Sequence, residues 1–162
     1  MKTRTLTGMA LLIAMGTVAG VSSIPLAGAR IFPVQHAINV LAAVLFGPGP
    51  AVIVAFCVAV LRNALQTGSP LAFPGGMIGA LVAGLAYRAT GRQYAAAIGE
   101  VFGTGVLGGL AAFPLARFIL GLDVLAFTFI VPFTLSSVAG AVAGLIVLRV
   151  ASAAWQKKTE RA

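Results

Sequence analysis

The sequence predicts an all-α integral membrane protein, a bundle of six transmembrane helices. Of its 162 residues, 60% are hydrophobic and 9% are charged. Soluble domains carry roughly a quarter charged residues, and a fold this small has too much surface to hide so much apolar area from water. Lipid can solvate that area instead. At about 20 residues per span, residues 1–162 have room for about six helices in a single domain.

Six apolar segments divide the chain. The first covers residues 6–24. Its length and its helix-packing spacings favour a helix that is retained in the mature protein. The small residues 26–29 that follow it are also typical of a signal-peptide cleavage site. The second, residues 34–46, is short for a span, so it could be tilted, broken or re-entrant. The others are expected at residues 51–67, 71–87, 94 onward with weakening at Pro114, and 124–150.

The distribution of charges predicts the orientation. The two ends of the chain and the loop after the fourth segment carry eight cations, whereas the opposite loops carry Arg30 and Asp123. The positive-inside rule therefore predicts a multi-pass protein of the cell membrane with both termini in the cytoplasm. The net charge of +8 does not indicate nucleic-acid binding, because the cations lie at the ends of apolar segments rather than in a solvated patch.

Polar side chains within the apolar segments gather toward the predicted extracellular side. Such groups are costly in a bilayer and usually face the interior of the bundle. Together with an aromatic wall that includes Phe73, they predict a small-molecule site. Arg62 would be either a ligand contact in that site or the group that orients a neighbouring helix. The polar members, from the second and third segments, are Gln35, His36, Asn39, Arg62 and Asn63.

Glu100 is the only acid inside an apolar segment. It could form the floor of the pocket, be a neutralised acid, or serve as a structural hydrogen-bond partner. Ser136 and Ser137, midway along the last segment, could meet Glu100 or the ligand, or could bond within their own helix. Arg30 and Arg117 could be ligand contacts or could simply extend to the lipid headgroups.

Two patterns do not indicate catalysis. Residues 103–108 fit G-x-G-x-x-G, but no strand precedes them, so their glycines are typical of helix packing. His36 and Asn39 with Glu100 could suggest a hydrolase. Acid–base or metal chemistry would normally need a second carboxylate or histidine, and the predicted spans contain none. We therefore expect no enzyme activity, no metal and no cofactor.

Several stretches of the sequence resemble the ThiW family. They follow one another in order over nearly the whole chain: residues 32–41 (FPVQHAINVL), 61–63 (LRN), 73–81 (FPGGMIGAL) and 99–105 (GEVFGTG), with Pro132-Phe133 and Ser136-Ser137. ThiW proteins look like substrate-binding (S) components of energy-coupling factor (ECF) transporters, which are ABC importers. Their assigned substrate is hydroxyethylthiazole, the thiazole precursor of thiamine.

The resemblance implies a six-helix S-component fold with an extracellular-side pocket. It also implies partners for vitamin uptake: a transmembrane coupling protein and two ATPase subunits. Small residues in the first helix of S components commonly meet the coupling protein, which assigns that role to Ala10 and Ala14. The chain departs from the family pattern at two positions: the family has Gly in place of Gln66 and Ser in place of Gly76. We therefore do not include Gln66 among the expected ligand contacts.

A thiazole ring suits the predicted pocket, because it offers a flat face to phenylalanine and a nitrogen that accepts a hydrogen bond. Two outer arginines exceed what a neutral molecule needs. An S component for another small or anionic ligand therefore stays open, as does a stand-alone secondary transporter, which often has related halves and ion-coupling acids. The expected substrate-binding residues are Gln35, His36, Asn39, Arg62, Asn63, Phe73, Glu100 and Ser136.

Overall fold

The structure, a computed structural model, describes residues 2–20, 24–26 and 29–159. Within these ranges it contains six helices and one short antiparallel hairpin, which lies between the first two helices. The helices are α1 (Thr3–Ala19), α2 (Pro33–Phe46), α3 (Pro48–Ala64), α4 (Ala72–Thr90), α5 (Gln93–Ile119) and α6 (Ile130–Thr159), and the hairpin strands are β1 (Ile24–Leu26) and β2 (Ala29–Ile31). The predicted helical class is confirmed.

The first and last segments differ from their predicted limits. The first helix ends at Ala19, and Ile24 lies in β1 rather than in a helix, because the ring of Pro25 disfavours helical geometry at the residue before it. The last helix begins at Ile130 rather than at residue 124. A helix that began earlier would hold Pro132 in its interior, where its missing N–H and its ring would break the hydrogen-bond pattern. Residues 27–28, within the small-residue run, lie outside the described part.

The second segment is one unbroken helix of 14 residues, α2. Pro33 and Pro48 begin α2 and α3, where the missing N–H of proline costs nothing. Gly47 separates the two helices with φ of 86°, a left-handed value that glycine adopts without strain. Gln66, just after α3, has φ of 57°. That conformation gives a backbone reason for the glycine that the family pattern has at this position.

The fifth segment continues five residues past Pro114, to Ile119. It contains two π-helical turns, Gly103–Gly108 and Leu115–Ile119, and the second directly follows the proline. Proline cannot donate the hydrogen bond expected at its position, and a change in helical pitch accommodates the carbonyl left without a donor.

The distribution of polar and apolar side chains is typical of a membrane protein. Arg62 and Glu100 are 2% and 0% exposed, whereas Phe118 is 76% exposed on the outside of the bundle. Two described helices, Gln93–Ile119 and Ile130–Ala154, are long and apolar enough to cross a bilayer. The helices α1, α2 and α3 are apolar but shorter, with 17, 14 and 17 residues, so six complete spans stay a prediction.

Helix α2 is the centre of the bundle and packs against α1, α3, α4, α5 and α6. Every residue from Gln35 to Ala43 is buried. The close approach of α6 depends on Gly140, where a Cβ would lie 2.5 Å from the Cβ of His36. Glycines one turn apart on α6 therefore serve helix packing, as their G-x-x-x-G spacing predicts.

Candidate functional site

A small cavity lies between α2, α4, α5 and α6. Its volume is about 60 Å³. The polar groups of its wall come from α2, α5 and α6, and a phenylalanine ring and the start of α4 complete the wall. A few polar groups set among apolar walls are typical of small-molecule sites, which usually measure about 300–1,000 Å³. The lining residues are Gln35, His36, Ala72, Gly75, Gly76, Thr104, Phe133 and Ser136.

Glu100 organises the polar groups around this cavity. It is fully buried, and its Oε1 accepts hydrogen bonds from His36 Nδ1 at 2.8 Å, from Asn39 Nδ2 at 3.0 Å and from Thr104 Oγ1 at 2.9 Å. A buried carboxylate requires such donors, because it has lost its hydration. Since Nδ1 of His36 donates to Glu100, Nε2 is the ring nitrogen left to interact with a ligand.

Glycines on α4 give these side chains their space. A Cβ at Gly79 would lie 2.7 Å from Glu100 Oε2, and a Cβ at Gly76 would lie 2.8 Å from Gln35 Nε2. The bare backbone of α4 also offers an acceptor, since Asn39 Nδ2 donates to the carbonyl oxygen of Gly76 at 3.1 Å. Because these glycines have no side chains, the polar groups of α2 and α5 pack directly against the backbone of α4.

Arg62 lies at the end of α3, beside the cavity rather than in its wall. Its Nη1 donates to Gln35 Oε1 at 2.5 Å and its Nη2 to the carbonyl oxygen of Thr67 at 2.9 Å. Its Cζ lies 4.5 Å from the centroid of the Phe32 ring. Within the described residues, its hydrogen-bond partners are neutral, and it reaches the cavity only through Gln35.

The two serines of α6 have different partners. Ser136 lines the cavity, and its Oγ accepts a hydrogen bond of 2.8 Å from the backbone N–H of Phe32. It therefore joins α6 to the residue that precedes α2. Ser137 donates to the carbonyl oxygen of Thr134 at 3.1 Å, within its own helix.

Asn63 and Phe73 do not line the cavity. The side-chain amide of Asn63 donates to the carbonyl oxygens of Ala59 at 2.8 Å and Ser69 at 3.2 Å, so it organises the loop between α3 and α4. The ring of Phe73 lies 5.8 Å from the ring of Phe56. Their direct contact with a ligand stays a prediction that this arrangement does not favour.

Thr104 lines the cavity but was not among the residues that we expected from the sequence. It lies one turn after Glu100, so the two side chains share a face of α5. A hydroxyl one turn from the only acid in the spans was the signal available in the sequence. Thr104 belongs to the π-helical turn Gly103–Gly108, and such turns are frequent at functional sites.

The predicted docking residues Ala10 and Ala14 both lie on the exposed face of α1. Gly16 and Met9 lie on the opposite, buried face of the same helix. Ala14 also borders a shallow apolar groove with Met15, Val18 and Ala19. The small-residue face is thus turned away from the bundle, where a partner in the membrane can reach it.

The remaining candidates are peripheral. Arg117 Nη1 donates to Asp123 Oδ1 at 2.9 Å, and both side chains are exposed. The side chain of Arg30 lies outside the described part, as do the side chains of the basic residues after Trp155. Among residues 2–20, 24–26 and 29–159, no three His, Cys, Asp or Glu side chains are grouped so that they could hold a metal ion.

The fold and the cavity define a helical membrane protein whose polar side chains converge on a small cavity among the helices. The model of the ThiW family, described as thiamine-precursor transporter protein, matches residues 6–154. The chain therefore belongs to the ThiW family, a family of transporters. No curated protein and no solved structure matches it.

Proposed function

We propose that the chain is the substrate-binding component of an ECF-type importer and that it binds hydroxyethylthiazole in the central cavity. The observation that carries this proposal is the convergence of His36, Gln35 and Thr104 on one small cavity beside the ring of Phe133. Membership of the thiamine-precursor transporter family supports the class of substrate.

The groups of the cavity match the groups of this ligand. The face of the Phe133 ring can stack on a thiazole ring, and the ring nitrogen can accept a hydrogen bond from the side-chain amide of Gln35. The ligand hydroxyl both donates and accepts, as do the hydroxyls of Thr104 and Ser136. No charge is required of the ligand, because the buried guanidinium of Arg62 is directed at Gln35 and Thr67.

The small volume of the cavity implies that the protein changes conformation when the ligand binds. A space of about 60 Å³ holds a few water molecules rather than a substituted ring. The helices around it must therefore separate when the ligand enters. Gly75 and Gly76 line the α4 wall, so this wall has little side-chain bulk to displace.

Binding is tested by isothermal titration of the purified protein in detergent with hydroxyethylthiazole. Ala72→Leu adds bulk at the cavity wall and should weaken binding at least tenfold, the equivalent of about 1.4 kcal/mol. Ala89→Leu makes the same change at an exposed position on α4 and serves as the control. No measurable binding by the wild-type protein, or equal affinity of all three proteins, would contradict this assignment of ligand and site.

The role in an ECF complex is tested separately, by uptake of labelled hydroxyethylthiazole into cells. We expect uptake when the chain is expressed with a coupling protein and its two ATPase subunits, and none when the chain is expressed alone. Full uptake by the chain alone would overturn the S-component assignment and support a stand-alone transporter.

Docking of the coupling protein on α1 is a further part of the proposal. Small residues one turn apart allow two helices to approach closely, and both Ala10 and Ala14 are exposed. Replacing both with leucine should reduce co-purification with the coupling protein and leave ligand affinity unchanged. The same double change at Ala151 and Ala154, exposed on α6, is the control. Normal co-purification of the α1 variant would show that its small-residue face has no part in docking.

A further inference from the structure

A groove between α5 and α6 opens on the outside of the bundle, away from the central cavity. Its volume is about 410 Å³. Two small residues that line it, Ala97 and Ala141, are 5% and 3% exposed and lie at its floor. Larger apolar side chains line the same groove: Tyr94, Ile98 and Phe102 on α5, and Val138, Val142 and Leu145 on α6.

The length of the groove corresponds to one leaflet of a bilayer. Its lining residues on α5 extend from Tyr94 to Val106. At about 1.5 Å per residue they cover roughly 18 Å, and half of a hydrocarbon core of about 30 Å is about 15 Å. A lipid acyl chain matches this length. A membrane-spanning helix of a partner would need a surface about twice as long.

Two arginines lie at the same end of the groove. Arg92 is the N-cap of α5, and its Cζ lies 5.8 Å from the centroid of the Tyr94 ring. Arg149 follows Leu145 by one turn of α6. Both arginines are exposed. The two helices run antiparallel, since Gly105 packs against Thr134 and Gly109, one turn later on α5, packs against Ile130, one turn earlier on α6. This direction brings the start of α5 to the end of α6.

We propose that this groove is a binding site for an anionic phospholipid, with one acyl chain along the floor and the phosphate held by Arg92 and Arg149. Guanidinium groups bind phosphate oxygens through paired, charge-assisted hydrogen bonds. Tyrosine is enriched where a membrane meets water, so Tyr94 marks the headgroup level at this end. The charge distribution of the sequence predicts the same end to be cytoplasmic, and the cytoplasmic leaflet is rich in anionic lipid.

The test is native mass spectrometry of the detergent-purified full chain, titrated with dioleoyl phosphatidylglycerol or with dioleoyl phosphatidylcholine. The wild-type protein should bind the anionic lipid at least tenfold more tightly. Changing Arg92 and Arg149 together to glutamine should weaken binding of phosphatidylglycerol about thirtyfold, because each cation near a phosphate contributes a factor of roughly five. Changing Lys2 and Arg4 to glutamine removes the same charge from exposed positions at the start of α1 and should change little.

The apolar part of the site has its own pair of variants. Val142→Trp places a large ring in the groove and should weaken the binding of both lipids, whereas Val147→Trp, exposed on α6 but outside the groove, should not. Equal binding of the two lipids by the wild-type protein would overturn the proposal, as would unchanged lipid binding by Val142→Trp. Unchanged lipid binding by Val142→Trp, together with lost co-purification with a coupling protein, would make the groove a protein-docking surface instead. These outcomes do not depend on the transported substrate.

Discussion

Replacing Arg62 with methionine removes the one charged side chain that joins α3 to the start of α2. The change deletes the hydrogen bonds from Nη1 to Gln35 and from Nη2 to Thr67, and also the contact with the ring of Phe32. Methionine is unbranched and flexible, so it can fill most of the vacated space. The variant therefore reports on the polar interactions rather than on a cavity.

The expected loss follows from opposing terms. A hydrogen bond from a charged group contributes about 1.5–3 kcal/mol and a cation–π contact about 0.5–2 kcal/mol. Two such bonds and one such contact together stabilise the fold by about 3.5–8 kcal/mol. Burial of a guanidinium at membrane depth costs about 2.5 kcal/mol or more by insertion scales. Because methionine would also leave the acceptors of Gln35 and Thr67 without a donor, we expect a net loss of about 2–4 kcal/mol.

Thermal unfolding in detergent, followed by circular dichroism, measures this loss. For a chain of this size, 2–4 kcal/mol corresponds to a fall in Tm of about 5–15 °C. Arg117→Met is the matched control, because its ion pair with Asp123 joins side chains that are 45% and 98% exposed. Exposed ion pairs contribute about 0–1 kcal/mol. The control should therefore shift Tm by no more than about 4 °C.

Equal shifts for the two variants would refute the view that Arg62 is a structural residue held by buried hydrogen bonds. Titration with hydroxyethylthiazole separates the two roles that the sequence left open. We expect affinity to fall by less than tenfold, since Arg62 touches the cavity only through Gln35. A large loss of affinity at unchanged Tm would instead make Arg62 a ligand contact.

For three further substitutions, the structure predicts the direction of the change in stability in the same unfolding assay. Gly79→Ala should lower stability by about 1–3 kcal/mol, because its Cβ would displace the hydroxyl of Thr104 and the carboxylate of Glu100. A neutral result would show that the network moves freely. Gln66→Gly should raise stability by about 1 kcal/mol by relieving φ of 57°, and a decrease would disprove that the strain is present. Thr104→Val should cost about 1.5–3 kcal/mol, because it removes a hydrogen bond to the buried carboxylate of Glu100, and no change would mean that the hydroxyl contributes nothing there.

Much of the site could be anticipated because polar groups are costly in lipid. Gln35, His36, Asn39 and Glu100 were selected from the sequence as polar side chains within apolar segments, and the structure buries all of them. Their burial follows from the chemistry of the solvent, which acts on each residue separately. The limits of α2 were likewise predicted, since its apolar run lies between Pro33, which begins the helix, and Gly47, which follows it.

The partners of these residues could not be predicted in the same way. His36 and Glu100 are 64 positions apart, and their hydrogen bond depends on how α2 and α5 are rotated toward each other. Hydropathy does not encode that rotation, because lipid accepts any apolar face equally well. Small residues at particular positions, such as Gly79, determine which faces approach closely, and only the packed bundle shows which glycine meets which side chain.

The sequence by itself determined the helical membrane class, the family and most of the buried polar residues, because each depends on composition and on local order along the chain. The tertiary structure decided that Gln35, His36 and Thr104 line one cavity. It also decided that Arg62 lies beside that cavity, where it donates a hydrogen bond to Gln35, and that Asn63 organises a loop. These outcomes depend on distances between residues far apart in the chain, and such distances exist only once the helices have packed.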